Sequence, residues 1–330
     1  YNTDSNKMEC FNGTKWMQVA VSSPDLDGGA RGTVNGGGDG SNRINTVEYF
    51  TIPTAGNSID FGDLNSARGR PGACASKTRA LVAGGYTGSG FLATIDYYDF
   101  SSTGTITNFS GDLTLARNQL AGCSNSTRGL FAGGNPETDI IDYVTIASQG
   151  VAAQDFGDIS GSTQNPSALA NSTRALFPGG EDNPASPVTA RIEYVNIATT
   201  SNYKDFGDLT TARRLLSCCS NSTRGVISGG QDGAPGSSVT TIEFVNITST
   251  GNSTDFGDLS TARDDHGGTS SPTRGVFFGG ITSPAGTNLT SMEYIEIATG
   301  GNATNFGSLT GHSGVRNFRP AGTSNAHGGL

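Results

Sequence analysis

Few side chains in this sequence could do acid–base or metal chemistry. Its 330 residues include three histidines, His266, His312 and His327. They share no metal-ligand spacing, and none stands in an arrangement that suggests a serine nucleophile with its base. Asp264-Asp265-His266 is the most reactive-looking run, and it reads equally as a solvated loop. The five cysteines, Cys10, Cys74, Cys123, Cys218 and Cys219, are odd in number and form no CxxC pair. They therefore define neither a disulfide framework nor a zinc site. No metal and no cofactor is expected, and the chain does not read as an enzyme. A pair of glycosidase carboxylates stays open, because any two acids can meet in space.

More prominent are charges that recur. An arginine opens a short apolar run that ends in Gly-Gly, with the first glycine five residues on: Arg31 and Gly36, Arg79 and Gly84, Arg128 and Gly133, Arg174 and Gly179, Arg224 and Gly229, Arg274 and Gly279. The arginines follow one another at intervals of 48, 49, 46, 50 and 50. Each copy continues with an apolar-acidic-aromatic triplet whose acids are Glu48, Asp96, Asp142, Glu193, Glu243 and Glu293. A phenylalanine follows: Phe61, Phe109, Phe156, Phe206, Phe256 and Phe306. A ring of carboxylates could gather cations. Charges at repeat-equivalent positions more often make ion pairs or hydrogen bonds within or between repeats, and an arginine fork at a hairpin entry suits turn carbonyls.

These residues must be placed by strands. Alternation such as Glu48-Tyr49-Phe50-Thr51-Ile52 suits a half-buried strand, and clusters of Gly, Asn, Ser and Thr between runs suit turns. The spacing predicts four strands per copy: a small-residue segment, the Arg-to-Gly-Gly run, the triplet, and the phenylalanine. A four-stranded repeat of about 40–50 residues is the pattern of propeller blades. The expected fold is all-β, a six-bladed β-propeller with four antiparallel strands per blade. The Gly-Gly doublet, the aromatic after it (Tyr49, Tyr97), the aromatic of strand four and the arginine beyond it (Arg68, Arg117, Arg213, Arg263) resemble the kelch repeat. Phenylalanine stands where kelch repeats usually carry tryptophan, and the third copy lacks the later arginine. Neither the Ser-x-Asp-x-Gly-x-Thr-Trp boxes of six-bladed sialidases nor the Tyr and His ligand set of copper-dependent kelch oxidases can be assembled.

The C-terminal Ala321-GTSNAHG-Gly329-Leu330 aligns with Ala121-GCSNSTR-Gly129-Leu130. The chain thus ends with a strand one and stops as a strand two begins, and the first copy begins at strand two, so both chain ends should complete one blade and close the ring without an exposed edge. Cys74, Cys123, Leu169, Cys219, Thr269 and Thr323 all fall on strand one. Crowding there favours small residues, and free cysteine packs as a small hydrophobe.

The formal net charge is −9, with Lys and Arg dispersed and no basic run. Such a surface repels phosphate backbones, so no nucleic-acid partner is expected. No apolar stretch is long enough for membrane insertion. The chain starts at Tyr1 without Met and reads as a fragment or processed product. Residues 1–27 read as a separate hairpin or connector ahead of a 28–330 propeller, with Asn12-Gly13 as the turn. The pattern Tyr1-NTDSNKMECFNGTKW-Met17 resembles a short module of phage tail-fibre and other virion proteins, and equally suits a hairpin lid. That resemblance implies a virion location, contact with other virion proteins through the N-terminal segment, and a homo-oligomer, a trimer if the chain is part of a fibre. An extracellular or cell-surface location is the alternative.

Scaffold spacings are nearly constant, whereas the gap from the first doublet glycine to the acid runs 12, 12, 9, 14, 14 and 14. Variation therefore concentrates in the loops from strand two to three. These emerge on the same face as the loops from strand four to the next strand one, which suits a binding surface. The candidate ligand-binding residues are Asp39, Asn42, Arg43, Tyr86, Phe91, Asn135, Glu137, Asp182, Arg213, Arg214, Asp265 and His266, with Arg70, Asn118 and Gln119 beside them. The function expected is a phage tail-fibre or receptor-binding protein that recognises a host-surface glycan or protein receptor. A structural or protein-interaction propeller comes second and a glycan-processing enzyme third. Nine Asn-x-Ser/Thr sequons, three of them in repeated Asn-Ser-Thr turns, matter only in a glycosylating secretory pathway.

Overall fold

The computed structural model describes residues 9–11, 14, 16–18, 30–38, 42–182, 188–233, 236–311 and 319–330. Six four-stranded antiparallel sheets form the blades of a propeller. Blade one runs Ala321–Ser324, Arg31–Asn35, Thr46–Thr51, Ile59–Asp63 from axis to rim. Blades two to six follow in order and begin at inner strands Gly72–Ala75, Ala121–Ser124, Leu169–Ala170, Ser217–Ser220 and Gly267–Ser270. The ring closes as expected: Gly32 pairs with Ser324 and Asn35 with Ala321. One expectation needs correction. Residues after Ser324 do not begin a strand two; they turn across the axis, where His327 Nε2 lies 2.8 Å from the Ala75 carbonyl of blade two. In the N-terminal segment, Glu9–Phe11 pairs with Trp16–Gln18. Asn12-Gly13 and the boundary near residue 27 lie outside the described residues.

The apolar residues form six clusters, each shared by two neighbouring blades. Strand two has a blade on either side, so in Arg128–Ala132 every residue after the arginine is buried. Size matching between blades explains the small residues. A Cβ on Gly129 would lie 2.4 Å from Cys74 Sγ of the preceding blade, and one on Gly275 would lie 2.4 Å from Cys219 Sγ. Cys74, Cys123, Cys218 and Cys219 are free and buried, and burial pushes the Cys74 and Cys219 thiols well above their ordinary range.

The strand-two arginines do not pair with the acids of the triplets. The strand-two arginine lies on the aromatic of its own triplet, with Cζ 4.9 Å from the Tyr49 centroid for Arg31 and 4.4 Å from that of Phe244 for Arg224. It also donates to carbonyls of the next blade, as Arg128 Nη1 does to Ile197 and Ala198, both at 3.0 Å. The same aromatic meets the strand-four phenylalanine edge-on, at 5.9 Å for Tyr143 and Phe156.

The acid of strand three is buried and takes the arginine that follows strand four of the preceding blade. The pairs are Arg68–Asp96 at 2.9 Å, Arg117–Asp142 at 3.1 Å, Arg213–Glu243 at 3.1 Å, and Arg263–Glu293. All eight side chains are at most 3% exposed. The backbone of these arginines completes the joint. Gly37 N–H donates to the Arg68 carbonyl at 2.9 Å, and a Cβ on Gly36 (φ 60°) would lie 2.6 Å from that oxygen. The doublet therefore supplies a left-handed turn and a close approach that a side chain would block.

The third copy has Thr163 in place of the loop arginine. Its carbonyl still takes the Gly134 N–H at 2.9 Å, but its side chain cannot reach the next acid as a cation. Arg191, two residues before Glu193, supplies the charge instead, with Nε 3.3 Å from Oε1. Equivalent positions in the other blades hold Thr46, Thr94, Ile140, Thr241 and Ser291. Glu48 of blade one accepts the Thr310 N–H at 3.1 Å and the Ser58 hydroxyl at 2.8 Å.

Breaking a buried pair by removing one partner leaves an uncompensated charge and costs about 3–5 kcal/mol. Arg213→Ala should destabilise by that order in chemical denaturation, whereas Arg79→Ala, at a half-buried strand-two site, should cost less. Equal losses would show that the interblade pair is not the stronger constraint. Removal of residues 319–330 should open the ring and expose the Arg31–Asn35 edge. A melting curve unchanged by that truncation would contradict closure by the chain ends.

Candidate functional site

The loops from strand two to three and from strand four to the next strand one share a face, because they hydrogen-bond to each other. Bridges join Gly69 to Tyr86, Asn118 to Asn135, Arg214 to Gln231 and Asp264 to Ile281, and Gln164 pairs with Glu181. At the axis, six residues at one repeat position precede the inner strands: Arg70, Gln119, Asn165, Leu215, Asp265 and Arg319. All have left-handed backbones, with φ between 43° and 59°. Non-glycine residues adopt this conformation at a cost, so a complete ring of them marks an imposed geometry.

The ring is filled. Arg319 donates from Nη2 to the Pro166 carbonyl on the opposite side of the axis, and burial lowers its pKa to about 10. Arg70 Nη2 reaches Asp265 Oδ2 at 2.6 Å. His266 Nε2 lies 3.0 Å from Ser228 Oγ. Only about 70 Å³ of space remains at this mouth and about 50 Å³ among the inner strands towards His327. An axial concave site open to all six blades, which the symmetry of the repeat suggests, is thus not what the structure shows.

The roomier space is off axis. A pocket of about 290 Å³ lies across blades one to three and is lined by Arg43, Gly69, Arg70, Tyr86, Phe91, Asn118, Gln119 and Asn135. The short strand Arg79–Ala83 and its Gly-Gly turn place Tyr86 at the rim. Tyr86 then pairs with Phe91 across a tight turn in which the Tyr86 hydroxyl donates to the Gly88 carbonyl at 2.6 Å. The two rings are 5.5 Å apart and tilted by 51°. Arg43 Cζ sits 5.0 Å from the Tyr86 centroid, and Phe91 is 39% exposed. Asn118 Oδ1, Gln119 Oε1 and Arg70 Nε are buried without a hydrogen-bond partner in the protein.

Of the residues singled out in the sequence, Arg43, Tyr86, Phe91 and Asn135 come together here with Arg70, Asn118 and Gln119. Asn42 is exposed and does not line the pocket, and Asp39 lies outside the described residues. Glu137 accepts from Gln164, Asp182 pairs with Arg191 at 2.7 Å, and Arg214 pairs with Glu181, so these hold neighbouring loops together. Arg213, Asp265 and His266, expected on a binding surface, are instead buried structural groups at 1%, 2% and 1% exposure.

The run Asp264-Asp265-His266 does not act as one unit. Asp264 accepts the Ser238 hydroxyl at 2.6 Å, Asp265 holds Arg70, and His266 faces Ser228. Burial, and then the positive charges of Arg263, Arg319 and Arg213, keep the His266 imidazole well below its usual pKa and neutral. His312 lies outside the described residues. Comparison with known proteins finds no family whose sequence pattern matches this chain, and no curated protein is significantly similar to it.

His327 gives a signed pH effect. Its ordinary pKa of 6.5 is lowered to about 4, chiefly by burial. The unfolded chain therefore takes up a proton as pH falls through about 6.5 while the folded chain does not. Stability from this group is complete above that pH and is lost progressively down to about pH 4. The melting temperature should drop between pH 7 and pH 5, and His327→Gln should lessen the drop. His266 contributes with the same sign, so some slope should persist. A His327→Gln slope equal to that of the parent would contradict this account.

Proposed function

We propose that this chain is a recognition module: a kelch-like propeller of a phage virion, part of a tail fibre or receptor-binding tip, that binds a host-surface glycan on the face bearing the off-axis pocket. One observation carries the binding reading. A cavity of about 290 Å³ on that face is built from loops that differ between otherwise equivalent blades, and it offers an exposed aromatic beside convergent polar groups. Ligand sites commonly combine apolar walls with a few placed polar groups, and about 300 Å³ is the lower end of their usual volume. Aromatic faces suit the C–H surfaces of sugars, and carboxamides and guanidinium groups suit their hydroxyls and substituents.

The virion assignment is supported by the resemblance of residues 1–17 to tail-fibre modules, and that segment would join other virion proteins, in a trimer if the assembly is a fibre. The kelch assignment is supported by the doublet, triplet and loop-arginine pattern. Binding is favoured over catalysis because the Asp264, Asp265 and His266 side chains are each committed to the scaffold.

Phe91→Ala should weaken binding to host cells or to a glycan array about tenfold, equivalent to ~1.4 kcal/mol, with little change in melting temperature. Should Phe91→Ala and Tyr86→Ala bind as the parent does, while substitutions at Ser126 and Ser222 on the opposite face abolish binding, the working face is the other one. Binding to a protein receptor but to no glycan would favour the protein-interaction reading.

A further inference from the structure

The axial mouth holds a charge that the protein leaves unmatched. Four arginines converge there, Arg70, Arg213, Arg263 and Arg319. Arg70 is paired with Asp265, Arg213 with Glu243 and Arg263 with Glu293. Arg319 forms no ion pair among the described residues. It is 8% exposed, its Nη2 donates to the Pro166 carbonyl, and its Nη1 has no hydrogen-bond partner in the protein. A buried cation without a counter-charge is costly.

Arg319 lines the cavity of about 70 Å³ at this mouth, together with His266, Ser167, Ser217 and Cys218, and no carboxylate lines it. The Nδ1 of the buried His266 also lacks a partner in the protein. Both titratable groups on the wall feel a positive field. Burial, and after it Arg263, Arg319 and Arg213, lower the pKa of His266. Burial raises the Cys218 thiol, and Arg319 and Arg213 pull it back. The space suits a monatomic ion with water, and is far below the 300 Å³ or so at which sites for larger ligands begin. Water alone could accept from Nη1 but would leave the charge uncompensated.

We infer that the axial mouth binds one monovalent anion the size of chloride, held on Arg319 Nη1 beside His266. The single surplus positive charge sets the valence and the cavity sets the size. This site shares no lining residue with the off-axis pocket and does not depend on the glycan reading. Arg319 opens the segment that carries the closing strand Ala321–Ser324, so an anion on it adds to the closure of the ring. An ion bound by the folded chain alone stabilises that chain by mass action.

The test places the purified chain in sodium gluconate and replaces gluconate stepwise by chloride at constant ionic strength. Above the dissociation constant, each tenfold rise in chloride should raise the melting temperature by about 2 °C. Arg319→Gln should lose that dependence, and Arg319→Lys, which keeps the charge, should retain part of it. Comparison with Arg319→Gln also removes the general action of the salts on protein surface. Crystals of the parent chain grown in sodium bromide give a reading that needs no variant: one anomalous peak should stand at Arg319 in the axial cavity. Equal melting temperatures in chloride and gluconate overturn the inference. So does a chloride dependence that survives Arg319→Gln, or a bromide crystal with only water in the cavity. A bromide peak at Arg319 without halide-linked stabilisation marks an adventitious ion only, and overturns it as well.

Discussion

The buried arginine that blades one, two, four and five each send into the next is the constraint on which the ring most depends. Arg68, Arg117, Arg213 and Arg263 each leave one blade after its fourth strand and meet the strand-three acid of the following blade. Burial lowers the pKa of each guanidinium and the partner carboxylate opposes that shift, so neither charge is tolerable without the other. Apolar contact alone would let neighbouring blades slide, because dispersion and hydrophobic burial are not directional. An ion pair with further bonds to carbonyls, as from Arg213 Nη1 to Gly229 at 2.8 Å and Thr241 at 3.0 Å, sets the angle and register between blades. The joint between blades three and four tests the rule within one molecule. The loop arginine is missing there, and Arg191 brings a cation to Glu193 from the acid's own strand.

Much of this architecture can be read in the sequence because it is periodic. Arginine, doublet, triplet and phenylalanine recur at fixed spacing, and each has one physical task repeated six times. The role of Gly62 is legible for the same reason. Its φ of 148° and the register shift opposite it at Val47 and Glu48 recur in every blade but the second. There Ser110 replaces the glycine and the outer strand shrinks to Thr107–Asn108. Partner choice is less legible. Both sets of arginines recur with the acids, and spacing alone does not say that the strand-two set stacks on aromatics while the loop set takes the carboxylates. That choice is made across blades, between residues 25 to 30 positions apart. The compensating Arg191 is visible in principle, as the one basic residue at its repeat position, in the blade that follows the missing arginine.

The site was half legible for a related reason. Loop variation identifies the face, and Arg43, Tyr86, Phe91 and Asn135 do converge there. Local spacing gives no warning that Asp265 and His266, which look the most reactive, are buried. Their fate is set by Arg70 and Ser228, 195 and 38 positions away, and by Arg319 from the far end of the chain. Proximity in sequence made Asp264, Asp265 and His266 resemble a site. The left-handed turn at Asp265 (φ 53°) instead sends adjacent side chains to different partners.

Exact repetition would build a symmetric molecule whose natural binding place is the axis. Here the axis is spent on closure. The inner strands pack on glycine and small residues, Arg319 spans one mouth, and His327 occupies the other end against Ser124 and Ala75. What remains for recognition must come from departures from the repeat. Tyr86 has no aromatic counterpart after the other doublets, where Gly38, Asn135, Glu181, Gln231 and Ile281 stand. Asn118 likewise holds a position filled by Gly69, Gln164, Arg214 and Asp264 in the other loops. The conserved chemistry of the copies holds the ring rigid, and that rigidity lets a few non-equivalent residues on adjacent blades define one asymmetric pocket. A seventh equivalent of the scaffold residues would add stability without adding specificity. A single change at Phe91 alters the pocket wall without touching an interblade ion pair, so binding and folding are separable in this chain by position.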